Sequence, residues 1–245
     1  MIDYFCVPIG EQSINMVFPN LIDIKENRFI QAVAKYLLNK NISGIVDVIP
    51  AYHTLTVNFD LSVTNYQKIT SKIEEIINSR QLQQEENIYR ILELPVCYDE
   101  EFGPDLKDVA KFGNLTVKEL INLHTQTDYF IYMLGFLPGF AYMGTVPKRI
   151  AMPRLDRPRP LVPAGSVGIA GEQTGIYPVS SPGGWRLLGK TPIRLYNSRR
   201  PKPRYQAGDF IRFKSISKTE YRDIQLADQN GDYQLTEILK KEGGL

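Results

Sequence analysis

The stretch Gly184-Trp185-Arg186-Leu187-Leu188-Gly189-Lys190-Thr191 satisfies the G-x-x-x-x-G-K-T pattern of a phosphate-binding loop, and its reading decides the fold of the second half of the chain. A loop of that kind curls its backbone N–H groups around a phosphate and leads into a helix whose N-terminus faces the anion. Here Trp185, Leu187 and Leu188 put bulk where the backbone must curl tightly, and Ile193 and Leu195 alternate with Pro192, Arg194 and Tyr196 as in a strand. The stretch therefore reads as β structure. Lys190 is then either a solvated lysine on a turn or a point charge beside an anion.

Outward from this segment, short apolar runs punctuated by Gly and Pro continue the β reading: Tyr129–Leu134, Gly165–Ala170, Thr174–Val179, Trp185–Leu188, Ile193–Tyr196 and Phe210–Ser215. Two short helices, Asp105–Gly113 and Thr116–Thr125, precede them. The N-terminal part differs in kind. Tyr4, Cys6 and Pro8 alternate, as do Ile14, Met16 and Phe18, and Gly10 between them predicts a hairpin. Ile30, Val33, Ala34, Leu37 and Leu38 recur at helical spacing up to Gly44, strands follow at Ile45–Pro50 and Leu55–Phe59, and Ile69, Ile73, Ile76 and Ile77 mark a second helix capped by Thr64. The order ββαββα predicts a small open sheet with helices on one face, linked by Gln81–Asn87 to a further strand at Tyr89–Val96. The expected division is an α+β domain over 1–88, a mainly β domain over 89–225, and a tail over 226–245 with a short helix at Gln234–Lys241.

Composition agrees with this division. The 245 residues are 43% hydrophobic and 23% charged, which excludes disordered and collagen-like chains and leaves enough length to bury a sizeable core. Net charge is only +2, yet residues 148–214 hold 14 Lys or Arg against three acids, so one region is strongly basic and the remainder acidic. Cys6 and Cys97 are too few for a disulfide framework, and with two histidines they show no metal-ligand spacing, so a reducing cytoplasmic home and no metal are expected. Met1–Val7 lacks a basic start and an apolar run, so it does not read as a secretory signal. The uncharged stretch Tyr129–Pro147 is long enough to span a bilayer but is broken by Gly135, Pro138, Gly139 and Gly144. Ser198–Arg204 is one basic loop without a reading element, which argues against nucleic acid as a partner.

Three further constellations could carry chemistry. In Pro153-Arg-Leu-Asp-Arg-Pro-Arg-Pro160 the prolines favour an extended chain, placing Arg157 and Arg159 on one side; they are either two solvated cations or a converging pair for a carboxylate or phosphate. The loop Gly135-Phe-Leu-Pro-Gly-Phe-Ala-Tyr142 has so much apolar surface that it must pack on its own core, a ligand or a partner. His124 shares the Leu120 face of its helix, near the end where the macrodipole favours a cation, and is either a satisfied core histidine or a general base.

At these same residues the sequence resembles the KipI/PxpB family, also called allophanate hydrolase subunit 1. The resemblance lies in Gly135-Phe-Leu-Pro-Gly-Phe-Ala-Tyr-Met143, Pro153-Arg…Pro158-Arg, Val162-Pro-Ala-Gly-Ser-Val-Gly-Ile-Ala-Gly171, Gln173-Thr-Gly-Ile-Tyr-Pro178 and Ser181-Pro-Gly-Gly-Trp-Arg-Leu-Leu-Gly-Lys-Thr-Pro192. It implies an N-terminal α+β domain followed by a cyclophilin-like β-barrel. It also implies the PxpB component of an ATP-dependent 5-oxoprolinase working with subunits A and C (PxpA, PxpC), with ATP and Mg used by the complex; some members instead bind a sporulation histidine kinase and inhibit its autophosphorylation. Such barrels also occur in prolyl isomerases, but no Phe-His-Arg sequence of their kind is present. The residues singled out are His124, Arg157, Arg159 and Lys190 as catalytic candidates, and Phe136, Pro138, Gly139, Phe140, Gln173 and Trp185 as substrate-binding candidates.

Overall fold

Alternating side chains make the first hairpin: β1 (Phe5–Pro8) pairs antiparallel with β2 (Ser13–Val17) across a turn where Gly10 has φ +97°. This computed structural model describes residues 3–20, 22–78, 88–199 and 203–241, and it falls into two units, Met1–Asn87 and Ile88–Leu245. The predicted link Gln81–Asn87 and the Gly243-Gly244 end lie outside the described residues.

In the first unit α1 (Ile24–Asn39) starts at Asp23, whose carboxylate accepts from the Glu26 amide at 2.8 Å, and it buries Ile30, Val33, Ala34 and Leu37. Two expectations need correction. Leu38 lies off that face, 49% exposed, and the helix ends at Asn39, with Asn41 rather than Gly44 making the left-handed step that follows. After β3 (Ile45–Pro50) and β4 (Thr54–Phe59) comes α2 (Tyr66–Asn78), capped by Asn65, which accepts from the Lys68 amide at 3.0 Å, and not by Thr64. Thr64 packs against Gly44, where a Cβ would stand 2.5 Å from its methyl group. The sheet order is β1-β2-β4-β3, and both helices bury their apolar stripes against Ile14, Met16, Leu55, Val57 and Phe59.

In the second unit β5 (Ile88–Val96) is followed by α3 (Leu106–Phe112), α4 (Val117–Thr125), β6 (Asp128–Leu134), β7 (Ala141–Gly144), β8 (Arg159–Val162), β9 (Ser166–Ala170), β10 (Gln173–Ile176), β11 (Ser181–Gly183), β12 (Arg186–Lys190), β13 (Phe210–Ser215), α5 (Lys218–Asn230) and β14 (Thr236–Lys241). Eight strands form one sheet in the order β12-β9-β10-β7-β6-β13-β5-β14, and β8 pairs with β11 apart from it. The segment that resembled a membrane span is β6, its loop and β7; no helix among the described residues is long and apolar enough to cross a membrane.

The sheet is not a closed barrel. It curls until Cys97, just after β5, exchanges two backbone bonds with Lys190 of β12, 2.9 and 3.1 Å, but the contact is one bridge and not a ladder. The physical reason is β14, which pairs with β5 from Ile88 to Glu93 and so occupies the edge that β12 would need. The tail therefore holds this strand where a helix was expected at Gln234–Lys241. The helix lies earlier, at α5, with Ser217 and Glu220 forming a capping box and Gly231 ending it at φ +84°. Residues Ile193–Tyr196 form no regular strand. Thr116 and Glu119 cap α4 by the same reciprocal device. Thr116→Ala and Ser217→Ala should each cost about 1 kcal/mol, read as a lowered urea midpoint at unchanged slope.

Candidate functional site

The aromatic loop between β6 and β7 is held by its own backbone. The Gly135 amide donates to Phe140 O at 3.1 Å, Leu137 to Gly135 O at 2.8 Å and Phe140 to Leu137 O at 2.9 Å. Gly139 sits at φ +82° and is buried against Pro178 and Pro203, while its carbonyl accepts from the Tyr205 hydroxyl at 2.7 Å. These ties turn the two phenylalanines in opposite directions. Phe140, 1% exposed, packs with Val162, Tyr177 and Leu187, and its ring meets Tyr142, Tyr177 and Trp185 at 4.8, 5.2 and 5.3 Å. Phe136, 66% exposed and itself left-handed at φ +66°, stands edge-on to Phe140 at 5.7 Å. Pro138 is exposed beside it.

Trp185 is half-buried, and Gly175 makes room for it: a Cβ there would lie 2.8 Å from the indole Cζ3 and 2.8 Å from Ala141 O. The Gly184–Thr191 stretch contains strand β12 and no phosphate loop, as the bulk of Trp185, Leu187 and Leu188 implied, although the alternation at 192–196 that also argued for a strand falls on residues that form none. The Leu187 amide donates to Asp105 Oδ2 at 2.6 Å and the Lys190 amide to Cys97 O at 3.1 Å, so these donors are not free to cradle a phosphate.

The predicted cations have separate surroundings and share no described partner. Arg157 sits in a bend, where strand alternation does not hold, and its exposed guanidinium has no partner among the described residues. Arg159 opens β8 and is committed: Nη2 donates to Asp105 Oδ1 at 2.8 Å and Nη1 to Trp185 O at 3.3 Å. Lys190 places its ammonium 5.9 Å from the Phe102 ring centroid. Gln173 starts β10, half-buried, opposite Gly144 and Ala170. Of His124, Arg157, Arg159 and Lys190, only Arg159 joins the aromatic cluster through a described bond.

His124 is sealed inside the second unit. Its ring stacks on Phe213 at 4.6 Å, its Nδ1 lies 2.7 Å from the Tyr98 hydroxyl and its Nε2 lies 3.1 Å from Thr174 Oγ1. Thr174 Oγ1 donates its own proton to Gly168 O at 3.1 Å, so it accepts from Nε2–H, and Nδ1 accepts from Tyr98. Burial lowers the imidazole pKa to about 3. The ring is thus neutral, and the cation favoured by the helix end is not formed.

Asp105, Tyr142, Tyr177 and Tyr205 complete the cluster and were not among the sequence candidates. Tyr142 ends the quoted aromatic loop and Tyr177 lies in the Gln173–Pro178 motif, whereas the sequence marks Asp105 only as the first residue of a helix. Elsewhere, two cavities of about 420 and 430 Å³ share Arg204, whose Nη2 bonds Asp228 Oδ1 at 2.5 Å.

With this geometry in view, the family model described as carboxyltransferase domain, subdomain C and D, matches residues 5–205. The chain is 42% identical to the B subunit of the 5-oxoprolinase of Bacillus subtilis (strain 168) over 224 residues, covering 87% of this chain and 93% of the relative. It is 39% identical to the protein of the same name from Haemophilus influenzae, over 84% and 95% of the two. The solved structure of TTHA0988 superposes with a TM-score of 0.75 at 33% identity over 85% of this chain, which spans 40% of that longer one. The Kluyveromyces lactis urea carboxylase, at 16% identity and a TM-score of 0.79, shares the fold over 98% of this chain and 24% of its own.

Proposed function

This chain belongs to the carboxyltransferase domain, subdomain C and D, family, and from that premise we infer that it is the B subunit of a 5-oxoprolinase, contributing to the ATP-dependent opening of 5-oxoproline to L-glutamate. The observation that carries the inference is identity of 42% extending over 93% of a relative bearing that name. Coverage of only 40% of the TTHA0988 chain supports a module that works joined to further protein, which here would be subunits A and C.

The lactam amide is resonance-stabilised, and ATP hydrolysis supplies the drive to open it. Residues 184–191 do not fit a triphosphate, because β12 spends its amides on Asp105, Cys97 and its strand partner. Among the described residues no three His, Cys, Asp or Glu side chains stand together as a metal donor set. In this reading residues 184–191 hold no nucleotide, and ATP is used by the complex.

What this chain offers is a surface. Trp185 and Tyr142 are half-buried aromatics suited to pack on the lactam ring, exposed Arg157 carries a guanidinium suited to its carboxylate, and exposed Phe136 suits an anchor for a neighbouring subunit. An exposed phenylalanine is costly unless covered, so in this reading a partner subunit covers Phe136 and completes the site. His124 supports the sheet behind, through Thr174 of β10.

The test is to assay ATP-dependent glutamate release by the purified chain and by the chain reconstituted with subunits A and C. The expected result is no activity alone and full activity in the mixture. Turnover by the single chain would overturn the need for partners. Inhibition of a histidine kinase's autophosphorylation, with no oxoprolinase activity in the mixture, would replace the enzyme reading altogether.

A further inference from the structure

Asp105 stands at the N-cap of α3, where an aspartate ordinarily accepts a bond from its own helix. It makes no such bond. Its residue is 4% exposed, and its carboxylate turns away from the helix to take Arg159 Nη2 at 2.8 Å on one oxygen and the Leu187 amide at 2.6 Å on the other. The Asp105 amide also donates to Leu187 O at 3.2 Å, so the main chain and the side chain of this one residue both bind Leu187 of β12. Forgoing a cap while burying a charge is costly, and the compensation lies in what the carboxylate holds.

What it holds is the backbone at Trp185 and just after it. Leu187, two residues on, is bonded directly; Arg159, aligned by the carboxylate, donates its second fork nitrogen to Trp185 O at 3.3 Å. The indole, edge-on to Phe140 at 5.3 Å and close over Gly175, is thereby tethered through its main chain as well as through its ring. We propose that Asp105 is a positioning residue for the oxoprolinase site, acting through Arg159 and the Leu187 amide to fix Trp185. The proposal rests on the reading above that Trp185 forms part of that site.

Trp185 is the chain's single tryptophan, so its emission reports the tether without interference. Asp105→Asn keeps an oxygen for the Leu187 amide but sets an amide group against Arg159, and Arg159→Lys keeps the charge while losing the fork. In the isolated chain both variants are expected to shift the emission to longer wavelength and raise acrylamide quenching about two-fold or more, as a looser, wetter indole does. In the reconstituted complex Asp105→Asn should lower activity about 10-fold, because small displacements of a positioning group are expensive, and Trp185→Leu should lower it similarly. The double variant should be no worse than Trp185→Leu alone. Additive losses, or unchanged emission and quenching in both tether variants, would overturn the proposal and leave Asp105 a purely structural acid. Full activity of Trp185→Leu would instead overturn the site reading beneath it. If Asp105→Asn does not fold, Arg159→Lys paired with Trp185→Leu makes the same cycle.

Discussion

Unfolding free energy should fall steadily as pH drops from 7 towards 4.5, and His124→Gln should remove most of that fall. The folded imidazole, with its pKa lowered to about 3, stays unprotonated, while the unfolded one takes a proton below about 6.5. Between those values the unfolded state holds one more proton, so stability rises with pH; the contribution is complete above about 6.5 and is lost progressively on the way down to about 3. One proton corresponds to a slope of about 1.4 kcal/mol per pH unit. Tyr98, Thr174 and Phe213 surround the ring, and none carries a charge that could accommodate an imidazolium. At pH 7 the same variant should cost about 3 kcal/mol, since it removes a stacked ring and disturbs two buried hydrogen bonds. Urea titrations of both proteins at several pH values check this. Parallel lines for the two would mean that another group governs the acid side.

Phe140 and Phe136, four residues apart, should separate stability from association. Phe140→Ala empties the centre of the aromatic cluster and should cost about 3–5 kcal/mol. Phe136→Gly should leave stability within about 1 kcal/mol, because release of a left-handed phenylalanine offsets the lost edge contact with Phe140. Yet Phe136→Gly should speed dissociation from the partner subunits about 10-fold or more, the behaviour of a truncated aromatic anchor. Thermal unfolding and surface-binding kinetics on the two variants decide the matter. Unaltered dissociation for Phe136→Gly would show that the loop faces solvent in the complex.

The elements easiest to read were those with a buried face: β4, with Leu55, Val57 and Phe59 alternating, and α2, with Ile69, Ile73 and Ile76 at helical spacing. α5 was missed although Ser217-x-x-Glu220 and Gly231 announce both of its ends, because only Tyr221 and Asp228 are buried and no apolar stripe drew attention. β14 was misread for a related reason: it lies at a sheet edge, and its side chains are exposed or half-buried, so no alternation of buried apolar residues marks it. For the site, the aromatic loop was visible as composition and the strand nature of β12 in the bulk of Leu187 and Leu188, whereas the alternation at 192–196 falls on residues that form no strand. The divergence of Phe136 from Phe140 was not, since it depends on backbone angles set by Tyr205 and Pro203, more than 60 residues away. Asp105 was invisible as a tether because its partners, at 159 and 187, are distant in sequence. The match to a phosphate-loop pattern shows the converse: spacing alone cannot distinguish a curled loop from a strand, whereas the bulk of Trp185 and Leu187 can.

The placement of β14 against β5 sets a timetable for biosynthesis. A ribosome delivers β5 first among the strands of the second unit, but both of its neighbours, β13 and β14, emerge last, so the nascent chain carries an unpaired Ile-Leu-Glu-Leu edge for most of translation. The first unit has no such delay, since all its strand pairing closes within its own 87 residues. A ribosome stalled before Thr236, or a protease removing β14, would leave the second unit with the β5 edge uncovered, the kind of species that chaperones capture or that pairs with its own copies.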